Sequence, residues 1–317
     1  LIYYTIYYCG ELRYRDKMES TNPEKLPDDT VAEQQSSYEN IENKRKLSWL
    51  KVFTGGLVLY VFGVVALAAT RNTNIFPTVV MLGNFLVPIT YVAFFYQRRH
   101  LSKLDMPTTA WAFFYGGLLG VLAAATLEPI FLSQKSLFYS FEVGLIEEFA
   151  KIIGVIIIAR RCFHDSEMDG LILGAASGMG FAALESTGYA FTAFLNSGGS
   201  LSQTVLITLI RGVIAPIGHG TWTAILVSTM FRESGPRRFH INLKVIGAYI
   251  TVAALHGLWN GLPDVLSLFP VTVFNVFTGQ VSVAIFGFYL LWRRYEEAKR
   301  LQLQRLWQGI KQPVCWK

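Results

Sequence analysis

The chain has 317 residues, 52% of them hydrophobic and 16% charged, with 28 Lys and Arg against 22 Asp and Glu. So few charges cannot solvate the surface of a globular protein of this size, which excludes an ordinary soluble enzyme and points to a polytopic membrane protein. Its apolar runs are about 20 residues long, the length at which a helix crosses the hydrocarbon core, so the expected fold class is an all-α membrane bundle.

Residues 1–48 differ from everything after them. Leu1 to Tyr8 form an aromatic run too brief to span, without the basic-then-apolar pattern of a secretory signal. From Glu19 to Glu42 the composition is acidic and polar, interrupted by Pro23 and Pro27, which predicts a disordered cytoplasmic tail. Eight candidate spans then begin near Trp49, Ile75, Ala110, Tyr139, Asp169, Gln203, Leu243 and Pro270. Lys and Arg alternate between their loops. Lys44, Arg45 and Lys46, then Arg98, Arg99 and Lys103, then Arg160 and Arg161, then Arg232, Arg237, Arg238 and Lys244, and finally Arg293, Arg294, Lys299 and Arg300 fall on one side. The other side carries Arg71 and Lys135. By the positive-inside rule both termini are cytoplasmic, and the protein is an integral multi-pass one, of the plasma membrane in a bacterium or of an endomembrane in a eukaryote. The net charge of +6 is mostly this topology signal, with the anionic headgroups of the bilayer as its partner; nucleic acid is not implied. Cys9, Cys162 and Cys315 form no disulfide framework. The predicted organisation is thus a tail over 1–48, a membrane domain over 49–293 with its catalytic core at about 110–265, and an amphipathic cytoplasmic tail over 294–317.

Ionisable groups at membrane depth cost several kcal/mol and are rare unless functional. The fourth run holds Glu147, Glu148 and Lys151. On a helix these share one wedge, Glu147 and Lys151 nearly in line and Glu148 about 100° round. Two adjacent carboxylates beside one ammonium suit a general base; the plainer reading is an internal ion pair that lets the helix insert, which leaves the second Glu unexplained. Glu185 lies in the fifth run, His219 in the sixth behind Pro216, and His256 with Asn260 in the seventh. Counted from the outer ends, Glu147, Glu148, Glu185 and His256 sit about 10 to 15 Å deep and His219 about 20 to 24 Å, where Pro216 with Gly218 and Gly220 is placed to bend the helix.

Small residues recur every fourth position at Gly170, Gly174, Gly178, Ala182 and Ser186, a seam that lets a neighbouring helix approach closely and turns Glu185 toward protein. Two carboxylates and two imidazoles near one depth can hold and deprotonate water, directly or through a metal. Zinc accepts Glu and His, with Glu185, His219 and His256 as the set if a metal is bound, but there is no HExxH, so spacing leaves metal use open. Arg211, on one stripe with Ala215, His219 and Thr223, reads either as a group that stabilises charge in the site or as an arginine snorkelling to the headgroups, and its position favours snorkelling. His100, His164 and His240 read as solvated loop residues.

EExxK at Glu147, Glu148 and Lys151, FxxxE at Phe181 and Glu185, the histidine His219, and HxxxN at His256 and Asn260 stand in order on consecutive runs. The set resembles the PrsW family of intramembrane proteases, distant relatives of the CAAX prenyl endopeptidases. The latter usually show EExxxR and FxxxH, whereas here the Lys comes one position earlier and Glu185 stands in the histidine's place. The resemblance implies peptide-bond hydrolysis in or beside the membrane segment of a single-span regulatory protein, such as an anti-sigma factor. It implies that Glu147 or Glu148 activates water, that His219 and His256 orient it or stabilise the oxyanion, and that Lys151, Glu185 and Asn260 complete the site. The family is described both as glutamate-dependent and as metalloproteases. Two alternatives stand beside this reading: a non-catalytic scaffold of the same fold, and a proton-coupled transporter, which would be expected to show an inverted repeat.

Overall fold

The computed structural model describes residues 48–97, 102, 104–133, 136, 138–160, 166–235, 238–267 and 273–307. Outside them fall the predicted tail apart from Ser48, the basic residues Lys44, Arg45, Lys46, Arg98, Arg99, Lys103, Lys135, Arg161 and Arg237, the histidines His100 and His164, all three cysteines, and Pro270 at the start of the eighth run. The helices discussed here, α8 as far as Gln302, belong to the unit that includes residues 47–302.

The fold is all-α; among the described residues there is no strand, only an isolated bridge between Gly235 and Arg238. The long helices among these residues are α1 (Ser48–Thr70), α2 (Phe76–Tyr96), α3 (Met106–Phe131), α4 (Tyr139–Ala159), α5 (Glu167–Asn196), α6 (Leu201–Glu233), α7 (Leu243–Ser267) and α8 (Val273–Trp307). Local chemistry sets several of the starts. Asp105, Ser166 and Ser200 each accept a hydrogen bond from a backbone N–H in the first turn of α3, α5 and α6, satisfying a donor that the helix itself cannot. Pro216 lies inside α6, which runs through it without a break. Helix α3 contains one π turn, Ala112–Gly116.

Five of these helices, α1, α2, α3, α6 and α7, are long and apolar enough to cross a membrane. Helix α4 falls short on composition, because Glu142, Glu147, Glu148 and Lys151 interrupt it. Such a helix is acceptable in hydrocarbon only when its charges face protein, and the packing provides that. Helix α5 is buried along most of its length and forms the centre of the bundle. Its glycine stripe meets α6: Gly170 faces Val227 and Ser228, Gly174 faces Thr223 and Ala224, and Gly178 faces His219. Each step of four along α5 matches a step of four back along α6, so the two are antiparallel, joined by a turn in which Gly198 and Gly199 take φ of +65° and +90°. Helix α3 crosses α5 where Gly116 abuts Ser177. Helices α4 and α7 close the remaining side, Gly144 lying against the Ala253 carbonyl and His256 Cβ.

At the end of the bundle that holds the α5–α6 turn, the rings of Phe76 and Phe194 lie 4.9 Å apart, next to an apolar cluster of Tyr60, Leu67 and Val79. At the opposite end Arg294 reaches Glu167 at 3.5 Å and Arg232 reaches Glu297 at 3.2 Å, tying α8 to α5 and α6. The outward faces carry large apolar side chains, Phe62 being 70% exposed, as expected for surfaces whose solvent is lipid.

A Cβ on Gly178 would collide with the His219 carbonyl and lie 2.8 Å from Thr223 Oγ1, whereas one on Gly188 meets nothing within 4 Å. Gly178→Ala should therefore cost about 1–3 kcal/mol through overpacking, and Gly188→Ala should be neutral or stabilise by up to about 1 kcal/mol through helix propensity. Thermal unfolding of the two variants in detergent, compared with wild type, checks the contrast; equal melting temperatures would mean that the α5–α6 contact is looser than described.

Candidate active site

The wedge expected on α4 is present, and it points inward. Glu147, Glu148 and Lys151 are buried, with side-chain exposures of 6%, 0% and 0%. The Lys151 ammonium donates to Glu147 Oε2 at 3.2 Å and to Glu148 Oε1 at 2.7 Å, and lies 2.8 Å from His219 Nδ1 on α6. It also sits 4.1 Å from the centre of the Phe181 ring on α5, a cation–π contact. Three helices thus converge on one ammonium group.

An ammonium has only hydrogens to give, so His219 Nδ1 accepts and the ring proton is placed on Nε2, which faces Glu185 Oε2 at 3.3 Å. His256 on α7 is arranged the opposite way. Its Nδ1 lies 3.2 Å from Glu148 Oε1, already bound to the ammonium, so Nδ1 carries the proton and donates. A carboxylate bonded to one imidazole nitrogen fixes the ring and leaves the lone pair on the other. That other atom, Nε2, is 3.7 Å from Glu147 Oε2. Thr223 Oγ1 donates to Glu148 Oε2 at 3.2 Å, so both oxygens of Glu148 are engaged. Trp222 stacks on His256 with ring centroids 4.7 Å apart, closing off one face.

The carboxylates therefore differ in role. Glu148 is a fully bonded group that positions His256 and Lys151, whereas Glu147 has an oxygen facing an imidazole lone pair. Glu147, His219 and His256 each bring one ligand atom, all within 4.8 Å of one another. Two imidazole nitrogens and one carboxylate oxygen are the donor set that zinc takes in hydrolases, so these residues fit such an ion in kind and spacing, provided that the Lys151 ammonium gives up the His219 lone pair it now holds. The carboxylate within reach is Glu147; the one named from sequence, Glu185, is turned to Arg211.

Arg211 departs from the snorkelling expected of it. Its guanidinium bonds Glu185 Oε2 at 2.7 Å and stacks on Tyr189 at 3.7 Å, so it faces protein. Asn260 is exposed one turn beyond His256, and among the described residues no hydrogen bond links it to the cluster; Trp259 turns inward instead, 5.8 Å from Trp222. Sequence reasoning assigned no role to Thr223 and Trp222. Thr223 follows His219 by four residues, and that spacing was the available signal; nothing in the sequence marks the stacking of Trp222.

Residues 106–292 match the family described as PrsW family intramembrane metalloprotease. No curated protein and no solved structure gives a significant match. The matched stretch runs from the first residue of α3 into α8 and includes every side chain of the buried cluster, and on that match the chain belongs to the PrsW family.

Proposed function

We propose that this PrsW-family protein is an intramembrane endopeptidase that hydrolyses a peptide bond in or near the membrane segment of a single-span regulatory protein. In this reading the chain crosses the bilayer eight times with both termini cytoplasmic. The basic residues Arg160, Arg232, Arg238 and Lys244 lie at or close to the helix ends away from the α5–α6 turn, and Arg294, inside α8, reaches Glu167 at the same end, where the positive-inside rule puts the cytoplasm.

The observation that carries the catalytic reading is the buried pair of Glu147 Oε2 and His256 Nε2, 3.7 Å apart. A water between them gives one hydrogen to each and turns an oxygen lone pair to the scissile carbonyl. Glu147 takes the proton as the water oxygen bonds to the carbonyl carbon, and returns it to the amine as the C–N bond breaks. In this reading His219 turns its Nε2 proton from Glu185 to the developing oxyanion. Lys151 bonds both carboxylates and so offsets the repulsion between them in low dielectric. A zinc ion held by Glu147, His219 and His256 would supply Lewis acidity and a bound water of lowered pKa at the same place.

Glu147→Gln should lower cleavage by about 10²- to 10⁴-fold, the usual contribution of a general base, at unchanged protein abundance. New peptide amino termini in membranes carrying wild type or this variant test it: identical profiles from two folded, equally abundant proteins would remove the protease reading. Thr223→Val strands one buried oxygen of Glu148, and should reduce turnover about ten- to hundredfold, from a loss of about 1–3 kcal/mol. Full activity in that variant would mean that Glu148 does not depend on the contact. For the metal, wild type purified without chelator should carry about one zinc equivalent and His256→Ala none. Zinc-free, fully active protein would leave water activation to Glu147 alone.

A further inference from the structure

Hydroxyls in these helices usually satisfy themselves by donating to the carbonyl four residues back, as Thr54, Thr70, Thr90, Thr126, Thr187 and Thr229 do. Two fully buried ones, Ser186 Oγ and Thr208 Oγ1, have no partner at all among the described residues, and neither do Tyr60 OH, Asn84 Oδ1 and Arg211 Nε. Buried polar atoms are almost always bonded, to protein or to water, so a group of unpartnered ones needs an explanation.

These atoms belong to one place. Asn84 Nδ2 lies 3.5 Å from Thr187 Oγ1, which ties α2 to α5 beside Ser186. The α5–α6 pairing, stepped on from Gly178 opposite His219, brings Ser186 opposite Arg211, and Thr208 is one turn before it. Gly83 abuts both Thr208 and the Tyr60 ring, and Gly212 abuts Gly83. Pro216, having no N–H, cannot donate to the Gly212 carbonyl, which leaves a backbone acceptor at the same seam. Counted from the ends of their helices, Asn84, Thr208, Ser186 and Tyr60 lie about 11 to 15 Å deep, and Glu147 about 12 Å. The seam is therefore level with the cluster, and the Arg211–Glu185 pair stands between the two, with Glu185 touching His219.

We infer that Tyr60, Asn84, Ser186, Thr208 and Arg211 line a buried water site, which holds water at membrane depth and passes it past Glu185 to the catalytic cluster. The groups suit water in particular: they mix donors with acceptors, hold no net charge apart from an arginine already paired, and are separately too small to recognise a larger ligand. The delivery half of the inference rests on the hydrolase reading; the existence of the water site does not.

The test is thiol reactivity in full-length protein in lipid vesicles, with Cys9, Cys162 and Cys315 replaced by Ser. A thiol reacts through its thiolate, which needs water. With aminoethyl methanethiosulfonate as the probe, Thr208→Cys should react at least about tenfold faster than Val79→Cys, which is shallower but in the apolar cluster, and than Leu209→Cys, which faces outward. Equal, slow reaction at all three positions would overturn the water site. The same measurement in Glu147→Gln protein should give the same ordering, so a failure of the protease reading does not affect it. For delivery, Thr208→Val should lower kcat about five- to tenfold with KM and melting temperature unchanged, the effect of one lost hydrogen bond on the water's route. A reactive Thr208→Cys together with wild-type kcat in Thr208→Val would overturn delivery.

Discussion

The Lys151 ammonium is the interaction on which the rest of this structure depends. It is wholly buried, bonds two carboxylates of its own helix, contacts His219 on α6 and rests on Phe181 of α5. Opposite charges about 4 Å apart attract by about 4 kcal/mol at an effective dielectric of 20. Removing one member of a buried ion pair costs about 3–5 kcal/mol, because the remaining charge has nothing to compensate it. Without this lysine Glu147 and Glu148 would be like charges adjacent to one another in a medium of low dielectric, where repulsion is strong. The ammonium thus offsets that repulsion and, through His219 Nδ1, sets which ring nitrogen carries the proton. It also fixes where α6 sits against α4.

That arrangement needs close backbones. The His219 carbonyl lies on the Gly178 stripe, so any side chain there would push α6 away from α5 and carry the imidazole from the ammonium. Gly144 does the same for α7, its missing Cβ leaving room for the Ala253 carbonyl and His256 Cβ. The small residues act as spacers whose size sets the lengths of the polar contacts. In hydrocarbon this geometry matters more than in water, since a polar group drawn out of reach of its partner has no solvent to turn to.

Much of the fold was legible in the sequence because hydropathy is a local signal. The described helices begin within a few residues of the predicted runs, α1 at Ser48 against Trp49 and α4 at Tyr139 as expected. The inward wedge of Glu147, Glu148 and Lys151 was legible for the same reason, since helical spacing alone brings the three together. The partners across helices were not. Arg211 sits about three turns from a helix end, where its long side chain can snorkel; only the register of α5 against α6, set by backbone contact over many residues, brings it to Glu185. His219 was placed deeper than the rest by counting residues, yet Lys151 is itself one turn deeper than Glu147, and its long side chain bridges the difference. Asn260 shows the opposite limit. A motif fixes spacing along α7, but which residue of the next turn faces inward depends on packing, and Trp259 takes that place against Trp222.

The charges of α4 link assembly to chemistry. Helix α4 has the composition of a poor membrane segment when taken alone, and what makes it acceptable is the set of contacts from α5, α6 and α7 that builds the cluster. Folding of the bundle and formation of the site are therefore one event, and a substitution that removes a charge acts on both. Isosteric changes come closest to separating them, since an amide in place of a carboxylate keeps volume and one acceptor oxygen while removing the charge and the ability to take a proton. Glu147 can accept that exchange better than Glu148: its Oε2 has one strong partner, Lys151, at 3.2 Å, whereas Glu148 holds Lys151, His256 and Thr223 from three directions. In the proposed mechanism the carboxylate with fewer commitments takes the proton, and the one with more commitments holds Lys151, His256 and Thr223 in place.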